Sequence, residues 1–310
     1  MRRIALLMLL PLFAQALVAE DQPEAETGMT ASSELILQLS TLPEAKLGFT
    51  EHLSFPFLQG ENPLTQDNNI GLAMTAEISP ISLNGIVEAV WTPIAFFQFS
   101  AGGRLGSGWN IELFGGKIYG IGLTRPDAEH KTEISGSAFD GLLWKAQAGG
   151  VIQFDLAALY PGDWHHVVAR SYHEINYRGY TRAKAHESWY YEDDDGENCN
   201  GYNYYGNLLI GYQMPIFLNM AALLAEADMY LYDTPDRELW RDDKIRWTFS
   251  GIFSFAITEQ WGIALITQFR TRKTYAGDWQ DLYYRNRTID SLSPVHLEFY
   301  RVATAVTYKL

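Results

Sequence analysis

From Lys244 onward, apolar and polar side chains change places at every step. Ile245, Trp247, Phe249, Phe253, Phe255 and Ile257 share one parity, and Lys244, Arg246, Thr248, Ser250 and Ser254 the other. Alternation sustained over about ten residues is what a strand needs when it faces lipid on one side and a polar interior on the other. After Thr258-Glu259-Gln260 the pattern resumes, with Trp261, Ile263, Leu265 and Phe269 opposite Gln268, Arg270 and Arg272, so the two stretches read as a tight hairpin. Tyr202 to Met214 likewise separates Tyr204, Leu208, Ile210, Tyr212 and Met214 from Asn203, Tyr205, Asn207 and Gln213, and Pro215 marks a turn. The next stretch, about 217 to 231, alternates less cleanly, because Leu218, Met220, Ala222 and Leu224 share parity with Glu226 and Asp228. A bulge accounts for that, or an interior that is apolar at its lower end.

Earlier strands are expected at about 33–41, 46–55, 70–78, 83–92, 95–106, 142–155 and 164–182, with turns at Pro43-Glu44-Ala45, Ser79-Pro80 and Thr92-Pro93. With a last strand at 295–310 they make twelve. The expected fold is all-β, one antiparallel transmembrane β-barrel over 20–310. Fourteen strands follow if 110–124 and 185–192 also reach the membrane, and eight to ten if some strands stand outside it. The intervals 107–140, 183–201, 232–242 and 275–294 are then long extracellular loops, opposite short periplasmic turns.

Arg2 and Arg3 precede an apolar run, Ile4 to Phe13, too short to span a bilayer, and small residues follow at Ala14-Gln15-Ala16 and again at Ala19. That is the pattern of a signal peptide over 1–19. Later apolar runs all fall short of a transmembrane helix, so insertion is expected through strands. The 18 Tyr, 9 Trp and 26 Gly suit a chain with aromatic rings at two interfaces and many turns. With 37 acidic against 23 basic residues, nucleic acid is an unsuitable partner. Cys199 is the single cysteine, which excludes an internal disulfide; it is expected as an exposed thiol.

The last strand puts Val302, Thr304, Val306, Tyr308 and Leu310 on one face and Arg301, Ala303, Ala305, Thr307 and Lys309 on the other. The outward row, with Val302, Val306, Tyr308 and Leu310, resembles the C-terminal signal read by the barrel-assembly machinery, although many such signals end in Phe. Three segments, Trp91-Thr92-Pro93-Ile94-Ala95-Phe96, Tyr172-His173-Glu174-Ile175-Asn176-Tyr177-Arg178-Gly179-Tyr180 and Leu208-Leu209-Ile210-Gly211-Tyr212-Gln213-Met214-Pro215, look like outer-membrane barrel proteins of spirochaetes, treponemes in particular. The resemblance implies the fold and an outer-membrane location, and carries no activity.

Chemistry-bearing patterns are weak. Two H-x-S pairs, His52 with Ser54 and His186 with Ser188, match the spacing of outer-membrane lipid hydrolases, but neither serine is followed by Asn-Gly. His165 and His166 follow Asp163 at an expected periplasmic turn. The run Glu192-Asp193-Asp194-Asp195-Gly196-Glu197-Asn198 carries oxygen ligands but departs from a calcium loop, and reads as a solvated surface loop. No catalytic residue, metal or cofactor is expected.

The inward parities say more. Lys244, Arg246, Arg270, Arg272 and Arg301 are expected to face the lumen at similar height on three consecutive strands, a track that attracts anions. Arg104, Arg170 and Arg178 extend it, and Glu88, Glu174, Glu226 and Asp228 supply the opposite sign. The expectation is a monomeric barrel, in contact with outer-membrane lipid, that admits small solutes, anionic ones included, through a narrow lumen. The alternatives are a closed barrel whose charges pair across the interior while its loops contact a partner, and a lipid-modifying enzyme.

Overall fold

The computed structural model describes residues 28–42, 44–113, 115–192, 195–277 and 282–310. Residues 1–19, read above as a signal peptide, and Pro43, Asp193 and Asp194 lie outside the described residues.

Twelve strands form the wall: β1 (Thr30–Ser40), β2 (Glu44–Pro56), β3 (Asn69–Ser79), β4 (Ser82–Ile94), β5 (Phe97–Gly108), β10 (Leu143–Asp155), β11 (Val167–Tyr180), β13 (Gly201–Gln213), β14 (Leu218–Tyr230), β15 (Arg246–Ala256), β16 (Trp261–Lys273) and β17 (Val295–Lys309). The remaining short strands, β6 (Ile111–Leu113), β7 (Gly116–Ile118), β8 (Ile121–Pro126), β9 (Thr132–Ser135) and β12 (Ser188–Tyr191), belong to loops. The wall is a closed barrel in which each strand pairs antiparallel with its neighbours in order, and β1 closes onto β17. Closure pairs every wall strand on both sides, which is the condition for a sheet to stand in lipid, and leaves the upper stretch of β17 without a β1 partner. The intervals 110–124 and 185–192 do not join the wall. They form β6–β7 and the three-stranded sheet β12-β8-β9.

Loops 109–142, 181–200, 231–245 and 274–294 all emerge at one end of the barrel, the loop end. The short β1–β2 and β3–β4 turns share that end, while the twelve-residue connection 57–68 lies at the opposite one with the start of β1 and the end of β17. Short and long connections are therefore mixed, contrary to the expected division. The loop-end rim is low on the side of β1–β4 and tall on the other. The turn expected at Thr92-Pro93 is instead inside β4, where the ladder with β5 shifts register between Trp91 and Ile94, a place where a residue without an N–H is tolerated.

The parities hold around the wall. Phe49, Val87, Phe99, Ile175, Leu223 and Phe253 point outward and are exposed, part of an apolar exterior far larger than a water-soluble monomer carries. In β14 both accounts of the imperfect pattern are true: the ladder with β15 shifts between Leu218 and Met220, and the interior there is apolar. Leu209, Met220, Leu224, Ile252 and Ile266 pack together in the half of the lumen away from the loops. Ile36, Ala264 and Ala305 form a smaller cluster. In β17 a register shift at the level of Gln268–Phe269 leaves Tyr300 without a partner in β16. Glu298 and Arg301, of opposite parity, therefore both turn inward beside exposed Phe299. The closing ladder joins only Glu34–Ser40 of β1 to Ala303–Lys309, so β17 rises above β1 at the loop end.

Candidate functional site

The charges of the lumen neutralise one another. Arg178 lies 2.7 Å from Asp228, and Arg246, above the Tyr230 ring, pairs with the same carboxylate. Lys145 meets Glu174 at 2.6 Å, and Glu174 also accepts from Tyr172 and Asn176. Glu226 accepts from Tyr205 at 2.8 Å, Glu88 from Gln147 at 3.5 Å, and Arg170 stacks on Tyr172. Most of these inward groups are buried.

The expected basic track divides at this point. Arg270 pairs with Glu298 at 2.8 Å and with Asp195 at 3.6 Å, and Arg301 with Glu44 at 2.7 Å. Arg301 is level with Gln268, two positions below Arg270, so the five cations are not at one height. Lys244 is not on a strand at all: it stands in the loop before β15, largely exposed beside Asp243. Arg272 is half exposed, 3.5 Å from Glu298.

Lys244, Arg246 and Arg272 nonetheless meet, as lining of a cavity of about 300 Å³ at the loop end. Arg241, Lys273 and Arg287 join them, against two carboxylates, Asp195 and Glu197. Tyr275, Tyr283 and Tyr284 supply a phenolic wall, and Thr124, Thr132 and Thr271 hydroxyls. Lys273 is held by Glu197 and Asp242, each at 2.8 Å, and lies 5.2 Å above the Tyr284 ring; Arg287 lies 4.9 Å above Tyr275. Burial raises the Tyr275 phenol, with Glu197 adding to the effect, so the hydroxyl stays protonated and able to donate.

The site exists because three long loops lock together above the barrel. Ile121, Leu143, Tyr180, Trp189 and Tyr191 form a buried apolar cluster joining loops 109–142 and 181–200 to the wall. The Glu192 N–H donates to the Gly120 carbonyl at 2.7 Å. A side chain at Gly120 would fall 2.0 Å from the Ile81 carbonyl, so the close approach needs glycine. Loop 274–294 joins through Tyr283, whose N–H donates to His130 O at 2.9 Å and whose hydroxyl donates to Ser188 Oγ at 3.0 Å.

Two residues of the acidic run, Glu192 and Asn198, are thus buried rather than solvated. Glu192 is only 2% exposed, 2.7 Å from Lys46 and 3.4 Å from Arg104, and both cations also meet Glu77. Sequence offered one signal for this: Lys46, Glu77, Asn84 and Arg104 share the inward parity of four consecutive strands. Cys199 is buried rather than exposed, with its thiol against Ser188 and Arg285.

Neither H-x-S pair forms a dyad. His52 lies 3.3 Å from Glu34, His186 is in a loop with φ 62°, and Ser188 meets Tyr283 and Tyr284. His166 pairs with Asp155, not Asp163. A serine–histidine contact that sequence reasoning missed does form: Ser171 Oγ is 3.0 Å from His173 Nε2, and His173 Nδ1 is 2.7 Å from the Tyr204 hydroxyl. It faces outward in the middle of β11, well inside both rims, and satisfies its own polar groups there.

No protein-family model matches this sequence, and no curated protein does. Among solved structures, the β domain of the Bordetella autotransporter BrkA is similar over 91% of this chain and 98% of that one, at 10% identity and a TM-score of 0.38. The KdgM porin in complex with disordered oligogalacturonate is similar over 91% and 99%, at 11% identity and a TM-score of 0.35. The transport unit of the autotransporter AIDA-I from Escherichia coli covers 96% of each chain, at 10% identity and a TM-score of 0.33. These likenesses carry no argument about the site.

Proposed function

We propose that this chain is an outer-membrane barrel, closed in this conformation, that presents its interlocked loops as a binding platform at the cell exterior. The observation that supports the reading is an occupied lumen under a folded cap: Leu209, Met220, Leu224, Ile252 and Ile266 pack together in one half, paired charges project into the other, and a separate apolar cluster holds the loops. The apolar exterior supports the membrane location, and the row Val302, Val306, Tyr308 and Leu310 supports delivery by the barrel-assembly machinery. Membership of the treponemal outer-membrane barrels, on the three segments quoted above, belongs to the same proposal.

One observation favours a second reading, a narrow channel for small anionic solutes: the basic cavity stands over Arg270 and Arg301, with Asp195 bridging from its lining to Arg270. Planar-bilayer recording of the refolded chain separates the two. The platform reading expects no defined conductance steps in wild type or after Arg270 and Arg272 are replaced by Gln. Steady steps whose anion preference falls in that double variant would replace it with the channel.

A further inference from the structure

The seam that closes the barrel stops short of the loop end. Its last contact is Thr41 with Val302: the Thr41 N–H donates to the Val302 carbonyl at 2.9 Å, and the Val302 N–H donates to Thr41 Oγ1 at 3.1 Å. Above that point Val295–Arg301 pairs with β16 alone, and among the described residues nothing bonds to its main chain from the β1 side. The bulge at Tyr300 sits at the foot of this stretch, so Val295–Phe299 runs regularly against Lys273–Phe269. Alternate residues of a strand with one neighbour point an N–H and a C=O away from it, a template for another extended backbone. Two residue types that usually blunt such an edge, Lys and Pro, are absent from Val295–Phe299. The outward side chains Val295, Leu297 and Phe299 are apolar and exposed, and Leu292 just before them is 94% exposed. Lipid does not account for the whole row. From Tyr308, paired with Trp261 at the end away from the loops, the strand rises about 30 Å to Val295 at the tilt of such barrels, against an apolar band about 25 Å tall. The top of β17 therefore clears the lipid.

From these features we infer that the upper edge of β17 is a strand-addition site, which takes an extended segment of another protein antiparallel to β17 and directly above β1. Main-chain hydrogen bonds supply the attachment. Apolar residues at alternate positions of the guest lie beside Leu297 and Phe299 as cross-strand neighbours, while its other side chains turn toward His296 and Glu298, which already bond to Thr274 and to Arg270. A guest polar at that second parity and apolar at the first is thus the chemistry the edge selects. A second copy of this chain does not meet the requirement. Two copies in one membrane are related by an axis along its normal, so β17 strands tilted by about 35–45° cross at about 70–90° and cannot form a ladder. The inference rests on the platform reading for the side of the membrane on which the guest is met, and the open edge itself is independent of it.

Fluorescence anisotropy on the refolded full chain in detergent tests it with a short, capped and labelled peptide of alternating Val and Gln. The peptide should bind saturably at one site. Methylating its backbone nitrogens at one parity should weaken binding at least tenfold, and at the other parity about twofold at most, because only one set of N–H groups faces the edge. Leu297→Lys, a change of the kind that blunts natural edges, should also weaken it at least tenfold, the variant being accepted only if its unboiled form still migrates as the folded barrel. Hydrogen exchange supplies a second measurement: alternate amides of 295–299 should exchange freely in the protein alone and gain protection when the peptide is added. Absence of saturable binding, equal loss from both methylation patterns, or protection of every amide of 295–299 without peptide overturns the site and leaves the platform standing. Conductance steps would overturn the platform and leave the site.

Discussion

The carboxylate of Glu192, carried on a loop, sits 2.7 Å from the ammonium of Lys46 near the start of the second wall strand, 146 residues away in the chain. Ser82 and Asn84 add hydrogen bonds to the same carboxylate at 2.7 and 3.2 Å, so its lone pairs are occupied as well as its charge. The pair fastens the tall side of the loop-end rim to the low side.

Replacing Glu192 should therefore free the cap without unfolding the barrel. Glu192→Ala removes the counter-ion that Lys46 and Arg104 share, a loss of about 3 kcal/mol for a buried charge network, moderated because Glu77 still faces both. Burial alone would raise the Glu192 carboxyl, but Lys46 and Arg104 outweigh it and hold it well below its ordinary value of 4.5. A depressed carboxylate stabilises the folded state above that ordinary value, and the contribution disappears as pH falls through the lower, folded one. Hydrogen-exchange protection factors at 188–192, corrected for the intrinsic rate at each pH, should fall in acid and in the variant alike, with the wall strands still protected. An equal loss of protection in the wall would contradict a separable cap.

Lipid contact predicts opposite results for two exposed leucines. Leu223 is 72% exposed on the middle of β14, and Leu239 is 64% exposed in loop 231–245. Leu223→Arg should cost about 2–4 kcal/mol of stability in bilayers, the penalty for a cation at mid-membrane depth, and Leu239→Arg nothing measurable. Denaturant titrations in lipid vesicles report both. A tolerated arginine at 223 would remove the membrane from the reading.

Cys199 should resist an impermeant maleimide on intact cells. Its side chain is buried beneath Tyr232 and Arg285, and burial raises the thiol, so little thiolate is present near neutral pH. Modification should become rapid only after denaturation. Prompt labelling of native protein would mean that loop 181–200 opens far more often than its contacts allow.

Tyr308 packs on Trp261, ring centroids 4.7 Å apart, at the end of β17 away from the loops. Tyr308→Asp should lower the amount of assembled, heat-modifiable protein in membranes by placing a charge in the outward row. Unchanged membrane levels would separate that row from assembly.

The wall was legible because alternation is a local property: Ile245, Trp247 and Phe249 declare their outward parity within five residues, and their exposure agrees. Lumen charge was legible in direction and not in pairing. Arg270 and Arg272 point as the pattern requires, but their partner Glu298 is set by a register shift in β17 that no spacing announces. The cap was illegible for a different reason. A run of acidic residues reads as solvated unless matching cations are known to be near, and Lys46 and Arg104 come within reach of Glu192 only through closure of the barrel. Arg241, Lys273 and Arg287, half of the basic lining, escaped the parity argument because two of them are not on strands and the third ends one.

The short seam between β1 and β17 has a consequence for the order of events in folding. Every other ladder of the wall joins strands consecutive in the chain's sequence of wall strands, and such local pairings form early; the seam joins Glu34–Ser40 to Ala303–Lys309 across nearly the whole chain. Until it closes, the molecule is an open, curved sheet with two unsatisfied edges and an apolar face, the form most prone to add a strand from a second copy. The pairing of the first and last strands is thus the least local of the wall, and the chain carries both open edges until it forms.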